Sequence, residues 1–171
     1  MNENILPKRK HPRLVYYDYS KSGYYHVTIC TEGRKPILST VGRGLAPAAN
    51  KIELTAIGKI AEEQLLFLES EYSFVKIDRY VIMPNHIHVI FILFGKTAGA
   101  SPRPTLSDIV CAYKSRTTRL CNKFDLSPGR KIFQASFYDE IIRNQSAYDE
   151  ISKYIFENPM KWEEDELYYI K

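Results

Sequence analysis

The sequence has no long hydrophobic run. Its longest, Val89-Ile90-Phe91-Ile92-Leu93-Phe94, is strand-sized, against the roughly 20 apolar residues that span a bilayer. A water-borne chain with no membrane partner is expected. Cysteine is scarce: Cys30, Cys111 and Cys121 form no CxxC pair, which argues against a disulfide frame or a zinc cluster and fits free thiols in a reducing compartment. The basic start is followed by no secretory hydrophobic stretch or cleavage motif, so a cytoplasmic location is expected. There is no internal repeat of 20 to 50 residues. Gly/Pro/Ala-rich sequence is confined to 42–49 and 95–104, each too short to link domains, and both read as flexible surface loops. Charge of one sign is also lacking, since a net +4 permits a polyanionic partner without demanding one.

What is present is ordinary globular material, 44% hydrophobic and 26% charged over 171 residues. That length suits one compact unit. The expected division is a basic arm over 1–14 and a single domain over 15–171. Residues 24–31 (YYHVTICT) alternate and are rich in β-branched and aromatic types, the signature of a strand. Thr55 can cap a helix over 56–70, with Ile57, Ile60, Ala61, Gln64, Leu65 and Leu68 at helical spacing.

Residues 74–83 read as the next strand, Pro84-Asn85 as a turn, and 86–93 as a strand of nearly continuous hydrophobicity. A second amphipathic helix is expected over 106–124, with Ser107 as its cap and a basic outer face. An extended stretch over 131–143 precedes a third helix that starts at Ser146 and is stopped by Pro159. A two-residue turn between the middle strands requires at least a partly antiparallel sheet. The expected fold is an α+β sandwich with helices packed on one face.

Three features carry chemistry. In His86-Ile87-His88 the two-residue period of a strand places both imidazoles on one face, about 6.6 Å apart along it. They can converge on one divalent ion, given a further ligand, or they are strand histidines bonded to backbone carbonyls. On the last helix, Ile151, Tyr154, Ile155 and Asn158 fall in one stripe, and Tyr154 and Asn158 lie one turn apart. An amide on an inward stripe needs a donor or a cation for its oxygen, although Asn before Pro is also an ordinary helix terminator. A tyrosine becomes a competent nucleophile against a phosphodiester when a cation polarises the phosphate. The chain has 13 tyrosines, so most of them serve packing.

The segments Gly23-Tyr24-Tyr25-His26-Val27-Thr28-Ile29-Cys30-Thr31, Tyr80-Val81-Ile82-Met83-Pro84-Asn85-His86-Ile87-His88, Ile141-Ile142-Arg143-Asn144 and Tyr154-Ile155-Phe156-Glu157-Asn158-Pro159 together resemble the REP-associated tyrosine transposases of the HUH single-tyrosine superfamily of bacteria. The likeness runs in order over about residues 14–168. It implies a ferredoxin-like core with the HUH histidines on a central strand, and His86 and His88 holding Mg²⁺ or Mn²⁺ with Asn158 at the third ligand position. It implies Tyr154 as the nucleophile that forms a 5′-phosphotyrosine. The activity it implies is cleavage and rejoining of single-stranded DNA beside hairpins, by a monomer or by a homodimer that exchanges the tyrosine helix. A hairpin-binding regulator that no longer cuts, or a replication or conjugation nickase, are the alternatives.

Six basic side chains stand against one acidic in residues 111–131. Lys114, Arg116 and Arg119 of that group, Lys8, Arg9, Lys10 and Arg13 of the arm, and Arg143 are the candidate DNA contacts, with an affinity that falls steeply with salt. Tyr16, Tyr17, Phe137 and Tyr138 are candidates for stacking on unpaired bases. The acidic run Glu163-Glu164-Asp165-Glu166 reads as a solvated helix or a cover over the cleft rather than a metal site, because helical spacing would spread its carboxylates around the axis.

Overall fold

The computed structural model describes residues 17–43, 50–95 and 103–168. Four strands, β1 (Gly23–Cys30), β4 (Val75–Ile82), β5 (His86–Leu93) and β6 (Tyr138–Ile142), form one antiparallel sheet in the order β4-β5-β1-β6. A separate hairpin joins β2 (Ser39–Arg43) to β3 (Asn50–Leu54). Three helices, α1 (Ala56–Glu71), α2 (Leu106–Phe124) and α3 (Gln145–Glu157), complete the fold. None of the described helices is long and apolar enough to cross a membrane.

Side-chain alternation divides the central strands into two faces. Tyr25, Val27 and Ile29 of β1 and Ile87, Val89 and Phe91 of β5 point one way, into the large core closed by Ala61, Leu65 and Leu68 of α1 and by Leu106, Ile109, Val110 and Tyr113 of α2. Opposite pairs in the register, Thr28 with His88 and Cys30 with His86, point the other way. A second core of Val81, Ile90 and Ile142 lies on that face, covered by Ile155, Ile151 and Tyr148 of α3 and by Val41 and Ile52 of the hairpin. The antiparallel α+β sheet therefore agrees with expectation. The expectation that all helices share one face holds for α1 and α2 and is corrected for α3, whose apolar stripe covers the histidine side.

Local chemistry sets the helix ends. Thr55 Oγ1 accepts from Gly58 N at 3.0 Å and caps α1. Helix α2 is capped by Thr105 rather than Ser107, through a capping box with Asp108. Asn144 Oδ1 accepts from Ala147 N and starts α3. Asp78 sits at a register shift in β4, and its Oδ2 accepts from Tyr148 OH at 2.6 Å, which pins the start of α3 to the sheet edge.

The loop expectation for 42–49 is corrected at its start, where Gly42 and Arg43 lie within β2, and 44–49 fall outside the described residues. The hairpin is tied to the sheet by Ser39 Oγ, which donates to the Ile82 carbonyl. Of the extended stretch over 131–143, only Tyr138–Ile142 is a strand, with a single bridge between Thr31 and Phe133.

At Gly58, α1 packs directly against the backbone of Leu38. A Cβ there would overlap the Leu38 backbone carbonyl, and backbone cannot swing aside as a long side chain can. Gly58→Ala is expected to destabilise the fold by about 2 kcal/mol, read as a lowered urea midpoint. An unchanged midpoint would contradict this packing.

Candidate functional site

Strand β5 supplies two buried imidazoles to one face, 4.6 Å apart between ring centroids. Helix α3 crosses above them and brings the Tyr154 hydroxyl within 3.3 Å of His88 Nε2 in the same chain. The chain then turns after Pro159 through a short 3-10 turn, Trp162–Glu164, which returns Asp165 to the cluster. Asp165 Oδ2 accepts from Tyr154 OH at 3.3 Å and from Asn158 Nδ2 at 2.7 Å. Ligand atoms of His86, His88 and Asp165 all lie within 4.8 Å of one another.

Two donor atoms in this cluster have no protein partner although they are buried, His86 Nε2 and Asn158 Oδ1. A buried orphan is costly unless something binds it. Nitrogen and oxygen donors converging from three elements match what Mg²⁺ or Mn²⁺ takes, so the residues fit such an ion. The other side of each histidine is supported: His86 Nδ1 meets Asn85 Oδ1 at 2.8 Å, and His88 Nδ1 meets Thr28 Oγ1 at 2.9 Å and His26 Nε2 at 3.2 Å. Trp162 packs on the His86 ring at 5.9 Å.

Burial holds these imidazoles neutral. It pushes His86 down to about 4, against a smaller opposing pull from Asp165, and pushes His26 down to about 4. His88 lies well below its ordinary value, from burial first and then from the two neighbouring histidines. Neutral rings can ligate an ion without first losing a proton. The Tyr154 hydroxyl is pushed the opposite way, upward, by burial and then by the Asp165 charge. It is a phenol at neutral pH, and the residue is still 45% exposed beside a cleft of about 370 Å³.

The depressed histidines predict acid sensitivity. Above pH about 6.5 folded and unfolded chains both carry them neutral. Below that, the unfolded chain takes up protons that the folded chain refuses until about pH 4 for His26 and His86, so stability falls as pH falls through this window, by up to about 1.4 kcal/mol per pH unit per group. Thermal melts in EDTA between pH 7 and 4 should drop continuously, whereas a flat profile would contradict the burial of these rings.

The candidate DNA contacts separate. Lys114 is buried in α2, and its Nζ donates to the Ala135 and Ser136 carbonyls. That tethers the chain before β6 and removes it from a phosphate-facing surface. Arg116 bonds Glu71 Oε2 at 2.7 Å and lies over the Phe67 ring, so it joins α2 to α1. Arg119 is exposed on α2, the helix across the sheet from the histidines. Arg143 is exposed at the end of β6 beside a cavity of about 440 Å³ that Tyr24 and Tyr148 also line. Lys8, Arg9, Lys10, Arg13 and Tyr16 lie outside the described residues. Phe137 is buried, while Tyr138 is 42% exposed.

Asp165 reads in the sequence as one of an acidic run and not as a metal ligand, and only the reversal of the chain after Pro159 reveals its place. His26 and Thr28, which support His88 Nδ1, have no role legible in the sequence. Their spacing of two put them on one strand face, but which partner strand faced them was not legible.

Residues 19–158 match the family described as IS200-like transposases. The chain belongs to the IS200-like transposase family. A Haemophilus influenzae protein of no assigned function is 27% identical to this IS200-like chain over 179 aligned residues, covering 94% of this chain and 93% of that protein. Among solved structures, a REP-associated tyrosine transposase bound to a REP hairpin is similar in fold, with a TM-score of 0.61 at 20% identity over 88% of this chain and 74% of that one. A candidate transposase from Deinococcus radiodurans R1 is similar at a TM-score of 0.50 and 17% identity, over 84% of this chain and 95% of that one. The family and the fold agree with the resemblance drawn from the motifs.

Proposed function

We propose that this IS200-like transposase cuts and rejoins single-stranded DNA beside short hairpins, with Tyr154 as nucleophile and Mg²⁺ or Mn²⁺ as cofactor. The observation that carries the reading is the Tyr154 hydroxyl 3.3 Å from His88 Nε2 and 3.3 Å from Asp165 Oδ2, at the rim of an open cleft. The hairpin is taken from the REP-bound relative in fold.

His86, His88 and Asp165 are the residues that would hold the ion, with the orphaned Asn158 oxygen as a further donor. When bound, it supplies Lewis-acid polarisation of the scissile phosphate and charge relief at the leaving oxygen. Helix α3 orients the Tyr154 oxygen toward the phosphate site. As that oxygen bonds to phosphorus, its proton passes to the Asp165 carboxylate it already faces, the bond from phosphorus to the DNA 3′ oxygen breaks, and that oxygen takes a proton from water in the open cleft and leaves as the 3′ hydroxyl. The 5′-phosphotyrosine left behind keeps the phosphodiester energy, so a free 3′ hydroxyl can reverse the reaction and reseal or transfer the strand. Burial of the three histidines below α3 keeps them neutral for this purpose.

All of these groups come from one chain, which supports action by a monomer without exchange of the tyrosine helix. Arg143 and the exposed arginine of α2, Arg119, remain proposed phosphate contacts, and Lys8, Arg9, Lys10 and Arg13 of the arm are proposed with them. The test is incubation with hairpin-flanked single-stranded oligonucleotides and Mn²⁺, followed by denaturing electrophoresis. A protein–DNA band that survives denaturation, absent in EDTA, is expected. Tight hairpin binding without an adduct at any metal concentration would instead favour a regulator that no longer cuts.

A further inference from the structure

His86 is the ligand candidate whose ring orientation the chain specifies most completely. The Leu167 backbone oxygen only accepts hydrogen bonds, so the Asn85 atom 2.8 Å from it is the amide nitrogen, Nδ2. That choice fixes the other end of the amide. Asn85 Oδ1 faces His86 Nδ1 at 2.8 Å, and an amide oxygen only accepts. His86 Nδ1 must therefore carry the ring proton of the neutral imidazole, which leaves Nε2 with a free lone pair. Nε2 is the buried atom that has no protein partner. Asn85 and His86 are 1% and 0% exposed, so this order is set inside the protein rather than by bulk water.

We propose that Asn85 is a positioning residue for metal binding: gripped by the Leu167 carbonyl, it holds His86 in the tautomer whose Nε2 faces the ion site. The inference rests on the reading that His86 ligates the metal. It also explains why the segment after Pro159 belongs to the site. Leu167 orients Asn85, Asp165 Oδ1 accepts from Leu167 N at 2.6 Å, and Trp162 packs on the His86 ring. One short stretch thus supplies a carboxylate, sets a tautomer and supports a ring. Partners of this kind on the far nitrogen of a ligating histidine typically change metal affinity by about 10- to 100-fold when removed.

The experiment compares the full chain with Asn85→Ala and Asn85→Asp, reading Mn²⁺ affinity by calorimetry and the His86 tautomer by ¹⁵N NMR on metal-free protein. Wild type should show the proton on Nδ1. Asn85→Ala should lose that preference and bind Mn²⁺ about 10- to 100-fold more weakly. Asn85→Asp retains an acceptor for Nδ1 but loses the hydrogen bond to the Leu167 carbonyl, so it should keep the tautomer and bind Mn²⁺ more tightly than Asn85→Ala. The proposal is overturned if wild-type His86 carries its proton on Nε2, if a folded Asn85→Ala binds Mn²⁺ within twofold of wild type, or if Asn85→Asp binds as weakly as Asn85→Ala. Should Asn85→Ala fail to fold, the wild-type tautomer and Asn85→Asp still decide. A wild-type protein with the Nδ1 proton that binds no Mn²⁺ would remove the metal reading while leaving the positioning of His86 by Asn85 in place.

Discussion

Tyr154→Phe is expected to abolish the covalent protein–DNA adduct, a loss of at least about 10⁴-fold in its rate of formation, while leaving hairpin binding close to wild type. The substitution removes one oxygen and keeps the ring. That ring packs edge-on against His88, with centroids 5.0 Å apart, so the neighbouring histidine retains its support. Tyr148, on the same helix, already gives its hydroxyl to Asp78 at 2.6 Å. Tyr148→Phe is therefore the matched control, expected to weaken the anchoring of α3 by about 1 kcal/mol and to leave the adduct intact. Adduct formation by Tyr154→Phe would refute the assignment.

The second large effect is expected from His86→Ala combined with His88→Ala. Cleavage and Mn²⁺ binding should disappear together, because the two rings supply both nitrogens of the proposed site and each is almost fully buried. Truncating two buried rings also costs packing, against Trp162 for His86 and against His26 and Tyr154 for His88. Calorimetric metal binding and a melt on the same sample separate the two consequences. The melt carries its own signature: with two acid-sensitive histidines gone, the loss of stability between pH 6.5 and 4 should shrink relative to wild type, since fewer groups are held neutral against their ordinary pKa. Cleavage that persists in this variant, or in wild type with EDTA, would rule out the metal role.

What the amino-acid order reveals here is what local periodicity controls. Strand β5 spans the 86–93 stretch that its near-continuous hydrophobicity marks, the two-residue spacing of His86 and His88 does put both on one face, and the pairing of Tyr154 with Asn158 follows from the helical repeat. The β2–β3 hairpin was hidden because its strands are short, partly charged and separated by Gly/Pro/Ala-rich sequence that carries the loop signal.

Long-range placement was less accessible still. Lys114 looks from its own helix like one more surface cation, and only the path of 131–137 shows the carbonyls that absorb it. Asp165 looks like one member of an acidic run, and only the turn after Pro159 brings it to His86 and His88. The side of the sheet taken by α3 is decided by where Ile151 and Ile155 find apolar partners, which no spacing within the helix can specify.

In the proposed chemistry a phenolic oxygen beside a pair of neutral imidazoles becomes bonded to DNA. Its most direct measurement is mass spectrometry of the peptide carrying the nucleotide after incubation with hairpin-flanked single-stranded DNA and Mn²⁺, proteolysis and nuclease trimming. One modified peptide is expected, with a 5′-phosphate esterified to Tyr154. A phosphate on any other side chain, or cleaved DNA with no modified peptide at all, would contradict it.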